Sequence, residues 1–213
     1  MASSGTTAFD LNIDEIIDEA YERCGVSTES GYDLKRARRN LNLLLSEWGN
    51  RGLHLWKVKN KEQLLTAGTS QYATPSDCSD VLEAYISTGT GNGPTITDVS
   101  LTKTDRSYYV DRQITPQIYL YQTPDATTYT YLKYYYIGRI EDAGGYTKTP
   151  DAPFRFLPCM VAGLAYYVSF LKAADRTQML KLAYEDEMKR ALDEDGSRTS
   201  LYISPQTYFG DGV

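Results

Sequence analysis

The chain has 213 residues, 41% hydrophobic and 23% charged, enough for a globular core with room for an inserted module. A net charge of −6 argues against tight duplex-DNA binding, which needs clustered cations to release counterions. Three dispersed cysteines, Cys24, Cys78 and Cys159, exclude a disulfide framework and a CxxC zinc site.

The 19 tyrosines point to strands and wet contact surfaces, since each ring carries a large apolar face and a polar tip. Residues 1–9 are small and polar, with no basic and apolar regions in tandem, and read as a flexible N-terminus rather than a signal peptide. No apolar run reads as a membrane span: Phe154 to Leu171 is interrupted by Pro158 and Gly163 and carries Arg155.

The first predicted element is a helix. Ile13, Ile16, Ile17, Ala20, Tyr21 and Cys24 recur at spacings of three and four, with Asp14, Glu15, Asp18, Glu19 and Glu22 on the other face. Asp10 or Asn12 suits its N-cap, and Gly25 its end. A second helix is predicted from about Asp33 to Arg51, with Leu34, Ala37, Leu41, Leu44, Leu45 and Trp48 as its apolar stripe and Gly52 at its C-cap. Lys35, Arg36, Arg38 and Arg39 crowd its first turns, the wrong end for cations in the field of the helix dipole. That placement calls for an anionic neighbour.

From 55 to 152 the chain is rich in Thr, Tyr, Val and Gly. Strands are predicted at Leu55–Val58, Gln63–Thr66, Val81–Ser87, Tyr108–Arg112, Gln117–Tyr121 and Thr128–Ile137. The last ends in Tyr134, Tyr135 and Tyr136, the pattern of a half-buried strand reaching a contact surface. Helical periodicity returns at Pro153. Leu157, Val161, Leu164, Ala165, Val168 and Leu171 form one stripe. A last helix, capped by Asp175 and ending near Asp193, turns Leu180, Ala183, Tyr184, Met188, Ala191 and Leu192 inward. The tail 196–213 has no amphipathic period, yet Leu201, Tyr202, Ile203, Tyr208 and Phe209 are too apolar for a purely solvated segment.

The predicted fold class is therefore α+β. A four-helix core is formed by 10–54 and 153–195, with an inserted antiparallel β module over 55–152 and an extended C-terminal arm over 196–213.

The residues offer no catalytic set. His54 is the single histidine and sits in a predicted helix-to-strand turn, where packing or capping is the simpler role. The run from Gly89 to Pro94 lacks the following helix that a phosphate loop needs, and no G-x-S-x-G elbow exists. The carboxylates of the first helix are spread over an outer face, as on a solvated helix. No catalytic residue, cofactor or metal is expected.

Several segments read together in order. Leu11 to Gly25 leads into Gly31 to Trp48; then come Arg51 to Trp56, Tyr109 to Gln113, Phe154 to Pro158 and Ala162 to Tyr167. The ordered set resembles the head-to-tail adaptor (connector) proteins of tailed bacteriophages, and is similar to podoviral tail accessory and tail tubular proteins. The resemblance implies a virion structural protein at the head-tail junction, assembled in the host cytoplasm. It implies a homo-oligomeric ring, typically of twelve copies, beneath the portal protein. That ring would continue the channel for double-stranded DNA, without sequence-specific binding, and dock tail nozzle or tube proteins; no membrane is involved.

The expected subunit and portal contacts are Lys35, Arg36, Arg38 and Arg39, the Tyr134 to Tyr136 run, and the tail residues Leu201, Tyr202, Ile203, Tyr208 and Phe209. Two alternatives stand beside this reading. One is a carbohydrate-reading tail module built on the tyrosine-rich strands, and the other a DNA-packaging accessory protein using the basic cluster.

Overall fold

A computed structural model describes residues 5, 7, 9–28, 30–53, 55–88, 99–101 and 107–195. His54, the glycine-rich run 89–94 and the whole arm 196–213 lie outside the described residues. The chain divides into two compact units, one formed by 1–44 and 143–213, the other by 45–142.

The first unit is helical. In α1 (Ile13–Cys24) the six apolar positions of the predicted stripe are all buried. Asn12 closes the N-terminus in a capping box with Glu15, whose carboxylate accepts the Asn12 N–H at 2.7 Å. Gly25, at φ 77°, closes the other end: its N–H donates to Glu22 and that of Val26 to Tyr21, which satisfies carbonyls the helix leaves open. α2 (Gly31–Asn50), whose residues from 45 onward belong to the second unit, ends in the same way, with Gly52 donating to Gly49 and Leu53 to Trp48. Ala37, Leu41, Leu44, Leu45 and Trp48 are buried as predicted.

α3 (Leu157–Lys172) is the central helix of this unit, packed against both α1 and α4 (Thr177–Asp195). Pro158 and Gly163 do not interrupt it. Pro158 occupies the first turn, where a missing N–H costs nothing. Gly163 is where neighbours come closest: a Cβ there would stand 2.8 Å from Leu44 Cδ1 and 2.9 Å from the Tyr184 ring. With the 3-10 turn Phe154–Phe156, α3 is long and apolar enough to cross a membrane by composition alone, but 61% of that stretch is buried inside the protein. It is a core helix.

Several predicted inward residues lie outside. Leu171 is exposed at the end of α3, and Ala183 and Leu192 are exposed on α4, whose buried side is the narrower row Leu180, Tyr184, Met188 and Ala191. Asp175 lies within a 3-10 turn, Ala174–Arg176, rather than at a helix cap.

The second unit holds seven described strands, all pairings antiparallel. β1 (Val58–Leu64), β7 (Tyr131–Gly138), β3 (Cys78–Ser87) and β4 (Val99–Leu101) form one sheet in that order. β2 (Gln71–Ala73), β6 (Gln117–Leu120) and β5 (Tyr108–Asp111) form the other. The α+β class read from the sequence is thus the one adopted.

Two predicted strands merge: Leu55–Lys57 is a 3-10 turn, and β1 runs unbroken across the predicted gap between Val58 and Gln63. As an edge strand β1 is largely exposed, so it shows no apolar alternation to read. β2 and β4, of three residues each, were not foreseen because so short a strand prints no pattern, even though Tyr72 of β2 is buried.

β7 corrects the expectation of a strand reaching a surface. It is flanked by β1 and β3, and its Leu132, Tyr134 and Tyr136 join Cys78, Val81, Ala84, Tyr108 and Ile118 in the core of this unit. Burial there pushes the Tyr108 hydroxyl up to about 12, with nearby Asp80 adding to it, and raises Tyr134 further. The Tyr134 hydroxyl is buried with no hydrogen-bond partner, whereas Tyr136 reaches Asp77 at 3.5 Å.

Two stability measurements test this packing. Gly163→Ala should destabilise by about 1–3 kcal/mol in denaturant titration, because Leu44 and Tyr184 are themselves fully packed. Tyr134→Phe should be neutral or stabilising by up to about 1 kcal/mol, since it deletes an unsatisfied buried hydroxyl. A comparable gain from Tyr136→Phe would contradict the assignment.

Candidate functional site

The basic cluster lies on the first three turns of α2, and the fold sorts its members. Arg38 is drawn into its own unit: its guanidinium donates to the Gly144 carbonyl at 3.5 Å and lies 5.7 Å from the Tyr146 ring centroid. Arg36 stands over Tyr32 at 5.6 Å, and Tyr32 is itself 69% exposed. Lys35 and Arg39 are exposed, and neither has an ion-pair partner among the described residues.

Beneath them, the Asp33 carboxylate is nearly fully buried and meets the Lys172 ammonium at 3.0 Å, which ties the start of α2 to the end of α3. The Tyr21 hydroxyl donates to the Asp33 carbonyl at 3.3 Å; burial, then the Asp33 charge, pushes that phenol up. Burial likewise raises the Cys24 thiol, which donates to the Ala165 carbonyl, with Arg176 opposing the rise. That thiol is a packing group, not a nucleophile.

The acidic face of α1 is partly neutralised by its own neighbours. Glu19 pairs with Arg23 at 2.9 Å and Asp18 accepts from the Thr28 hydroxyl at 2.9 Å, while Glu22 is exposed. Asp14 and Glu15, in the first turn, complement the helix dipole.

The other expected contact residues divide. Tyr134 and Tyr136 are buried in the β core, so of that run Tyr135 alone is half-exposed, opposite Asn60 and Glu83 on the flanking strands. Leu201, Tyr202, Ile203, Tyr208 and Phe209 lie outside the described residues.

What sequence reasoning missed is bared apolar surface on the helical unit. Phe170, Leu171, Met179 and Leu182 are each more than half exposed around the α3–α4 turn, and Phe9 and Phe154 stack at 5.7 Å near the start of α1 while both stay exposed. The available signal was the surplus of apolar residues in α3 and α4 over what a single stripe can hold.

In the β unit an open groove of about 470 Å³ has Leu65, Ile86, Leu101 and Tyr129 in its lining and Asp125 at its rim. Thr127 donates to the Asp125 carboxylate and holds its pKa low. Among the described residues no group of three or more His, Cys, Asp or Glu is placed to hold a metal.

Free cations, an acidic helix face and bared apolar side chains on well-packed units are the marks of a structural protein whose business is contact with other proteins. A family model described as SU10 adaptor protein matches residues 11–207, and the chain belongs to that family. It is therefore a phage structural adaptor, a component of the virion that meets other head and tail parts. No curated protein matches the chain.

The Asp33–Lys172 pair gives a test of how the surface is held. Lys172→Met should cost about 1–3 kcal/mol by chemical denaturation, because it removes the ammonium that balances a nearly buried carboxylate. An unchanged midpoint would show that the pair does not position the start of α2.

Proposed function

We propose that the chain is a head-to-tail adaptor that assembles as a ring, of about twelve copies as its resemblance to connector proteins implies, below the portal protein. The ring extends the DNA channel and docks the tail. The observation that carries this reading is the pairing of unmatched surfaces on one chain: Lys35 and Arg39 free at the start of α2, and the carboxylate face of α1. An acidic chain that displays a small free basic cluster is suited to binding copies of itself head to tail.

The portal contact belongs to the same basic start of α2 and to the arm 196–213. Lumen carboxylates would repel the DNA backbone, so that duplex slides through without adhering. The carbohydrate-reading alternative loses its main support, because two of the three tyrosines it needed are spent on the core.

Charge reversal tests the proposal. Lys35→Glu with Arg39→Glu should abolish rings in electron micrographs of the protein mixed with portal, while circular dichroism stays that of the folded monomer. Arg38 is left intact because it serves its own unit. Intact rings from this variant would refute the pairing.

A further inference from the structure

Two of the three β7 tyrosines are spent on a core, but three tyrosines of the other sheet are not. The sheet β2–β6–β5 buries one face and bares the other, and burial alternates along each of its strands. Tyr72, Tyr108, Val110, Ile118 and Leu120 belong to the core of the β unit. The residues between them turn outward: Gln71 and Ala73 from β2, Gln117 and Tyr119 from β6, Tyr109 and Asp111 from β5. Tyr121 continues the β6 row, since its N–H still donates to the Ser107 carbonyl at 3.2 Å.

The register gathers the tyrosines. Tyr109 stands opposite Tyr119, with ring centroids 6.2 Å apart and planes tilted by 40°. Tyr121 is two residues further along the strand, about 7 Å on. Tyr109 is 47% exposed and Tyr121 51%. Polar groups lie among the rings. The Gln71 amide donates to the Gln117 carbonyl oxygen, and Gln113 donates to the Asp111 carboxylate at 2.6 Å. Those bonds leave the Gln117 amide N–H pair, the Gln71 carbonyl oxygen and the second Asp111 oxygen for a ligand. The sheet is well tied: the Thr74 hydroxyl and N–H both donate to the Pro116 carbonyl, at 2.6 and 3.2 Å, which joins the end of β2 to the start of β6.

What such a face binds follows from what it carries. None of its outward residues is a cation, and Arg112, just past β5, pairs with Asp80 of the other sheet. Single-stranded nucleic acid also stacks on aromatic side chains, but it needs a basic groove for its phosphates, and Asp111 would repel them. A protein partner needs an apolar centre, and no outward side chain is aliphatic beyond Ala73. A proline-rich segment offers carbonyl acceptors and few donors, whereas the Asp111 carboxylate can only accept. A sugar fits. Its C–H face stacks on a tyrosine ring, and its hydroxyls both donate and accept, to the amides and the carboxylate. Tyrosine holds such a ring at little cost in rotamer freedom.

The geometry points to a binding site for a neutral oligosaccharide on the outer face of β2–β6–β5. Tyr109, Tyr119 and Tyr121 are its stacking rings, and Gln71, Gln117 and Asp111 its hydroxyl partners. The site belongs to the β unit alone and does not depend on ring assembly.

The test begins with the full chain, biotinylated and gathered on streptavidin to raise avidity, on an array of neutral and acidic glycans. Neutral glycans should be retained in preference to acidic ones. The double variant Tyr109→Ala, Tyr121→Ala should lose about tenfold or more in binding while its circular dichroism stays that of wild type. A second measurement needs no variant: titrating the best-retained neutral oligosaccharide into the labelled wild-type chain should shift the NMR signals of β2, β5 and β6 and of these tyrosine rings. Failure of every neutral glycan to bind, or shifts confined to other residues, would overturn the site. Binding of hexaproline or a thymidine oligonucleotide at these residues in place of sugar would overturn the ligand class. The adaptor reading stands or falls separately, on ring formation with portal.

Discussion

The helical unit depends on α3 lying unbroken in its centre. Sixteen residues with almost no charge cannot face water, so α1 and α4 are held against it by the apolar area they cover. Gly163 is the point at which this arrangement is tightest, since Leu44 and the Tyr184 ring occupy the space a side chain would need. The positions of the helix ends follow from that core. The Lys172–Asp33 pair and the contact of Cys159 with Met188 fix which turns stand together at either end.

The β unit solves a different problem with similar means. β7 lies between two strands and gives Leu132, Tyr134 and Tyr136 to the core, so the most aromatic stretch of the chain is largely withdrawn from contact. Its neighbour β1 is the polar edge, where Lys59 pairs with Asp77 at 2.8 Å and Lys61 is exposed. Lysines on an edge strand discourage unintended pairing with other sheets. The aromatic run that looked most like a binding surface is largely structural, and the exposed cations Lys35 and Arg39 belong to the helices.

Much of the fold was legible. The stripe of α1 and its glycine stop were readable, and its N-cap was narrowed to Asp10 or Asn12, because a half-buried helix prints its period and caps directly in the sequence. The class of fold followed from the change of composition near residue 55 and back. Illegible were the strands β2 and β4, too short to show a pattern, and the continuous edge β1, whose residues bury too little to show one. The basic cluster was legible as residues but not as roles: nothing local distinguishes Arg38, committed to Gly144, from exposed Arg39.

The sequence by itself determined the α+β class, the four helices and the unmatched charge on α1 and α2, because periodicity, capping chemistry and charge placement are local. It also carried the likeness to phage adaptors that membership of the SU10 adaptor protein family bears out in its coarser form. Only the tertiary structure decided which apolar residues are inside. Tyr134 and Tyr136 are consumed by a central strand, whereas Leu171 and Leu192 are left in solvent. Burial depends on neighbours supplied from distant parts of the chain, and a stripe on a helix cannot say how wide a face those neighbours will cover.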